Sequence, residues 1–341
     1  MNHNTPLSPR PLSHLTCAQR RVLSAGQLRD HGVSTAQATA QCRPGGPWQQ
    51  LLPGVFVLHS GPPTSEERLH GVLLYARRPP AAASRRIPAQ TGAYDGAMIT
   101  GLAALALHRF ASAPPLLSID RIDVLIESSR RLRSTRCARL IRAQALPPAQ
   151  QIADVPVAPV PRALADAVAG LSDATVVRRL LTEAVRGGHC EPASVVAALN
   201  EARLLSRPHV VNAVDALLAE GRAIAEGRLH TMVRTYGLPD PLWNVDLRLP
   251  GGPYLGGVDA YWPDQAVAVE LDTRAPRQDE DAMWSEYATK REHLERLGIT
   301  VLHITPKKLR EGLEQQAAVV RTALAASKDR DPAAYVVVLP R

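Results

Sequence analysis

The run Ala266-Val-Ala-Val-Glu-Leu-Asp272 constrains this chain more than any other stretch. It is almost wholly apolar, as a strand covered on both faces must be, yet it holds two carboxylates two residues apart. Along a strand such residues point to one face. Glu270 and Asp272 are therefore expected to project together, with Val267, Val269 and Leu271 on the other side. A carboxylate in such a strand is costly unless it is paired or bound to a cation. Asp259, on the strand expected just before, is placed to face the same point. Converging carboxylate oxygens are hard ligands suited to Mg²⁺ or Mn²⁺. An ion held there would activate a water against a phosphodiester.

The flanking sequence sets this strand in an ordered series. Arg222–Tyr236 is expected to be a helix, with Ala225, Leu229, Met232, Val233 and Tyr236 on one face and Gly237 ending it. Trp243–Leu249 and Tyr254–Trp262 read as strands joined by a turn at Pro250–Pro253, and Pro263-Asp264-Gln265 turns the chain into the central strand. A charged helix follows from about Asp279 to Leu297. Ile299–Ile304 is a fourth strand, and Thr305-Pro306 opens the last helix as N-cap and N1 proline. The order αβββαβα is that of the restriction-endonuclease-like fold. Glu226, on the first helix, is a fourth acid placed near the site.

The N-terminal part has a different rhythm. Gln19–Ala25 reads as a helical stretch. Ser24 caps a helix running to His31 and Gly32, and Ser34 caps another over Thr35–Cys42. Two short apolar runs around Pro53-Gly54 then read as a hairpin over Trp48–Leu58. Three short helices and a hairpin describe a winged helix-turn-helix, in which the third helix enters the major groove and the wing touches phosphate. The chain is thus expected to be a multi-domain α/β protein. A winged helix-turn-helix spans 10–60, a mixed α/β middle region 61–221 with a linker near 77–92, and the endonuclease-like domain 222–327. In the middle region, Asp120–Ser128 reads as a strand, and 156–200 as helices including Ala163–Leu171 and Ala174–Arg186.

Charge enters here because nucleic acid is a polyanion. The chain carries 40 basic and 32 acidic side chains, a net charge of +8. Residues 1–50 hold five Arg against Asp30 alone, and 120–145 hold seven Arg against three acids. A GC-rich genome also favours Arg on any solvated surface, so charge alone decides nothing. Four scattered cysteines without C-x-x-C spacing read as free thiols in a reducing compartment. No apolar run approaches the roughly 18 residues of a membrane span. A cytoplasmic protein with no membrane partner is expected.

The segments LSAGQLRDHGVSTAQATAQCRPGGPWQQLLPGVFVL and AMITGLAALALHRF (Ala97–Phe110) resemble the N-terminal domain of AbiEi-type antitoxins, the second standing where that family has its first helix after the wing. The resemblance implies sequence-specific binding of double-stranded DNA, often at the protein's own promoter, and a toxin or other protein partner. On that mapping Ser34, Gln37, Thr39, Gln41 and Arg43 are the candidates for DNA contact, with Gln49 and Gln50 on the wing. The segments VDAYWPDQAVAVELD and KREHLERLGITVLHITPKKLR, within Ile224–Leu313, resemble the Vsr-like branch of the PD-(D/E)XK nucleases. That resemblance implies Asp259, Glu270 and Asp272 as metal-binding acids and Glu226 as the helix glutamate. Lys290 or Arg291 would be the positive group beside the scissile phosphate. The chain departs from the pattern in two places. Asp272 stands where the nuclease lysine is expected, and Thr273–Arg277 holds no histidine. Arg277 can hold a phosphate but stays protonated and cannot act as a base. Three functions follow as expectations: an antitoxin-like transcriptional regulator with a weak or silent nuclease domain, a Mg²⁺-dependent endonuclease, or a protein-interaction module.

Overall fold

The computed structural model describes residues 21–77, 94–273, 289–327 and 335–341. The chain is mixed α/β, with three sheets among the described residues, and divides into two compact units between Leu180 and Leu181.

The first unit begins with β1 (Val22–Ser24), α1 (Ala25–Asp30), α2 (Thr35–Gln41), β2 (Gln49–Leu52) and β3 (Val55–Val57). The sheet is antiparallel in the order β1-β3-β2. The helix expected over Gln19–Ala25 is corrected, since Val22–Ser24 is a strand paired with β3 (Leu23 opposite Phe56). The reason lies in Ser24. Its hydroxyl accepts the Gln27 N–H while its own N–H donates to Gln27 Oε1, and an N-cap needs the extended backbone seen there, φ −78° and ψ 158°. The residues before it continue that extension into the sheet. Ser34 and Gln37 form the same reciprocal box for α2. Gly54, at φ +72°, supplies the left-handed turn of the expected hairpin. Leu23, Leu28, Val33, Ala38 and Phe56 close a small core beneath it.

After the hairpin, α3 (Ser65–Ala76) leads to β4 (Ala97–Thr100), α4 (Gly101–Leu107), β5 (Ile122–Glu127), β6 (Ala138–Ala143), β7 (Gln150–Ile152), β8 (Val155–Val157) and α5 (Val160–Ala169). The strands form a mixed sheet in the order β6-β5-β4-β8-β7. Here a second expectation is corrected. The first helix after the wing is α3, and Ala97–Thr100 is a fully buried strand between β5 and β8. Only Gly101–Leu107 is helical, because Gly101 at φ +62° breaks the extended run. The linker expected near 77–92 lies outside the described residues, apart from Arg77. The division between units falls within α6 (Ala174–Arg186).

In the second unit, α7 (Pro192–Glu201) and α8 (Pro208–Thr235) precede β9 (Leu242–Arg248), β10 (Tyr254–Trp262) and β11 (Val267–Leu271). Then come α9, helical over residues 289–296 of the described chain, β12 (Thr300–Ile304), α10 (Pro306–Glu311), α11 (Leu313–Ala326) and β13 (Val337–Pro340). The sheet order is β12-β11-β10-β9-β13, with only the β11–β12 pair parallel. One face packs Ala260, Val267 and Val269 with Leu229 and Met232 of α8 and Val320 of α11. The other packs Tyr261, Ala268 and Val301 with Leu294 of α9. The expected strand–helix alternation is present, with three differences. The first helix starts at Pro208 rather than Arg222, the last is split at Gly312, and β13 adds a strand beside β9.

Candidate functional site

The β10–β11 ladder runs from Trp262–Val267 to Ala260–Val269. One further step would set Asp259 opposite Glu270. Instead Asp259 turns its side chain into the gap, and its Oδ2 accepts the Leu271 N–H at 2.7 Å. A backbone donor that would lose its ladder partner is thereby satisfied. Asp259 and Glu270 are 6% and 7% exposed, and carboxylates this enclosed need compensation.

Each one has a cation. Asp259 Oδ1 accepts from Arg222 Nη2 at 2.5 Å, and Arg222 Nε donates to Glu226 Oε1 at 2.8 Å. One guanidinium thus joins a carboxylate on α8 to one on β10. Glu270 Oε1 is ion-paired with Lys290 of α9, whose ammonium also donates to the Gly257 carbonyl at 2.8 Å. The Lys290 stem crosses Gly256, where any Cβ would collide with it and where φ is +135°. His303 Nδ1 lies 3.6 Å from Glu270 Oε2, since the parallel register sets Glu270 beside His303.

Of the expected acids, Asp259 and Glu270 are therefore neighbours, and Glu226 reaches Asp259 through Arg222. Asp272 stands apart. The strand ends at Leu271, and Asp272 is exposed, held by its own N–H to the Ile304 carbonyl. Among the described residues no group of three His, Cys, Asp or Glu side chains is arranged to hold a metal. Lys290 reaches Glu270, whereas Arg291 pairs along the helix with Glu295 at 2.7 Å. Arg277 lies outside the described residues. Sequence reasoning missed Arg222 and His303. The first was legible as an i,i+4 partner of Glu226 on a helix. The second depended on a strand register that no local signal gives.

In the first unit, α2 buries only Ala38. Ser34, Gln37 and Thr39 are exposed but locally engaged: Ser34 and Gln37 cap each other, and the Thr39 hydroxyl donates to the Thr35 carbonyl at 2.8 Å. On the hairpin, Gln49 donates to the His59 carbonyl at 2.9 Å. Arg43 and Gln50 are exposed and Gln41 is half-buried.

Much of the arginine-rich stretch after β5 is used to hold the fold. Arg130 donates to the Ala76 and Arg77 carbonyls at the end of α3, Arg136 to those of Gln50 and Leu51, and Arg142 to that of Leu132. Arg139 grips buried Asp123 with two hydrogen bonds. Burial pushes that carboxyl upward, and Arg139 offsets it. Arg121, Arg131 and Arg133 are exposed. Cys42, Cys137 and Cys190 are free thiols, and no described helix is long and apolar enough to cross a membrane. No known family model matches the chain, and no curated protein matches its sequence.

Proposed function

We propose that the chain is an antitoxin-like, double-stranded-DNA-binding transcriptional regulator acting in the cytoplasm. Its N-terminal elements would form a winged helix-turn-helix, and its C-terminal domain would be a PD-(D/E)XK-type fold kept without nuclease activity. The observation that carries the reading is α2. It follows α1 through a tight turn, precedes a hairpin, and leaves every residue but Ala38 outside the core. A helix with its side chains is about 10–12 Å across, and the major groove is about 12 Å wide. Short residues such as Thr35, Ala36, Thr39 and Ala40 suit so close a fit. Arg43, just past the helix, supplies a fork for a guanine edge or a phosphate.

Fluorescence anisotropy with the protein's own promoter and a scrambled duplex of equal length tests this. Gln41→Ala with Arg43→Ala is expected to weaken promoter binding by about 2 kcal/mol, roughly 30-fold, with little effect on the scrambled duplex. Equal affinity of the native protein for both duplexes would refute it.

The donor set of the C-terminal site does not fit a resident Mg²⁺ or Mn²⁺. Mg²⁺ needs oxygens at about 2.0–2.1 Å in near-octahedral array. Here both Asp259 oxygens are already hydrogen-bonded and Glu270 is taken by Lys290. The endonuclease reading draws on one observation, the Lys290 contact with Glu270. Plasmid nicking in Mg²⁺ or Mn²⁺ that disappears in Glu270→Ala would establish it.

A further inference from the structure

We infer that Arg222 is a built-in counter-cation that holds the carboxylates of the C-terminal domain together and excludes a divalent ion from them. The inference rests on the proposal that this domain is silent as a nuclease, and it names the residue responsible. A divalent ion between strand and helix acidic groups would do two things: neutralise buried charge and tie the elements together. Arg222 does both. Its Nη2 is on Asp259 and its Nε on Glu226, so one rigid fork spans α8 and β10. A guanidinium stays protonated at any ordinary pH and presents its donors in a fixed plane.

The other cation is differently built. Lys290 serves Glu270 and the Gly257 carbonyl, a point charge on a flexible stem, whereas Asp259 and Glu226 pair with Arg222. Arg222 is thus the group whose loss leaves Asp259 and Glu226 uncompensated. Its side chain is 39% exposed while that of Asp259 is 7% exposed. Solvent and ions consequently have access to the position it fills. Removing its charge leaves Asp259 and Glu226 without a cation, with Asp259 still fixed by the Leu271 N–H. Carboxylate oxygens freed in this way are hard ligands that a divalent ion can take, with water filling the rest of its shell.

The experiment is a thermal-unfolding titration with Mn²⁺, read beside the electron paramagnetic resonance signal of free Mn²⁺, on the full chain. The native protein is expected to bind no Mn²⁺ at this site and to keep its Tm. Arg222→Gln is expected to be less stable without metal and to recover as Mn²⁺ is added, following mass action. Adding Asp259→Asn to it should abolish the recovery. Native protein that binds Mn²⁺ and loses it in Asp259→Asn overturns the inference. So does an Arg222→Gln protein that folds but binds none, or one that stays unfolded with and without Mn²⁺. Promoter anisotropy on the native protein keeps the two readings apart: failure there, with Mn²⁺ rescue intact, removes the regulator and leaves the role of Arg222 standing.

Discussion

His70, on α3, is wholly buried. The Tyr94 hydroxyl contacts its Nδ1. Burial pushes that phenol up to about 12, so it keeps its proton and donates, which assigns the imidazole proton to Nε2. There Nε2 has no hydrogen-bond partner and lies 3.8 Å from Glu66 Oε1. Burial holds His70 below its ordinary 6.5, although Glu66 and Asp154 pull the other way. The folded protein thus stays neutral where the unfolded chain takes up a proton. The stability this group contributes is complete above about pH 6.5 and is lost as pH falls below it. In urea unfolding, His70→Gln should flatten the decline between pH 6.5 and 5.5 by up to about 1.4 kcal/mol, the limit for one proton over one pH unit. An unchanged slope would show that His70 takes up its proton in the folded state as readily as in the unfolded one.

Among the elements, α2 depends most visibly on a few local bonds, having seven residues and one buried side chain. Loss of an N-cap typically costs about 0.5–2 kcal/mol. Ser34→Ala should accordingly lower stability by about 1 kcal/mol and weaken promoter binding, whereas Ser34→Asn, an equally good cap without added charge, should preserve both. Thermal unfolding beside anisotropy checks this; equal losses in both variants would mean that the hydroxyl acts otherwise than as a cap. Caps of this kind were legible in the sequence because both partners lie within four residues. So was the strand carrying Glu270, whose apolar run and flanking turns are local. Ala97–Thr100 was not legible, because what makes it a strand is burial between Val124 and Val157. The acidic site divides in the same way. Side-chain period set Glu270 and Asp272 on one face, but the strand ends at Leu271 and Asp272, just past it, is exposed. The cations that answer Asp259 and Glu270 come from elements 37 and 20 residues away in the chain.

For the whole molecule, the net charge of +8 hides a division that follows the two units. Residues 1–180 carry 21 basic and 10 acidic side chains, and residues 181–341 carry 19 and 22. The attraction for a polyanion therefore belongs to the first unit, and the second, at −3, has none to add. This fits DNA recognition by the N-terminal elements and argues against a C-terminal unit that grips DNA by its net charge. Even +11 overstates the first unit. Arg130, Arg136 and Arg142 are held by backbone carbonyls, while the Arg139–Asp123 and Arg162–Asp166 pairs already cancel within that sum. Phosphate binding releases counterions, so the logarithm of affinity falls with that of salt at about −0.9 per phosphate neutralised. If each of the eleven excess charges met a phosphate the slope would be about −10. With those three arginines withdrawn, about eight charges remain and a slope no steeper than about −7 is expected. Measured with promoter DNA between 50 and about 200 mM salt, a slope near −10 would mean that these arginines leave their carbonyls on binding. The segment after β5 would then belong to the DNA interface, and its Arg136 contact with the hairpin to the free protein alone.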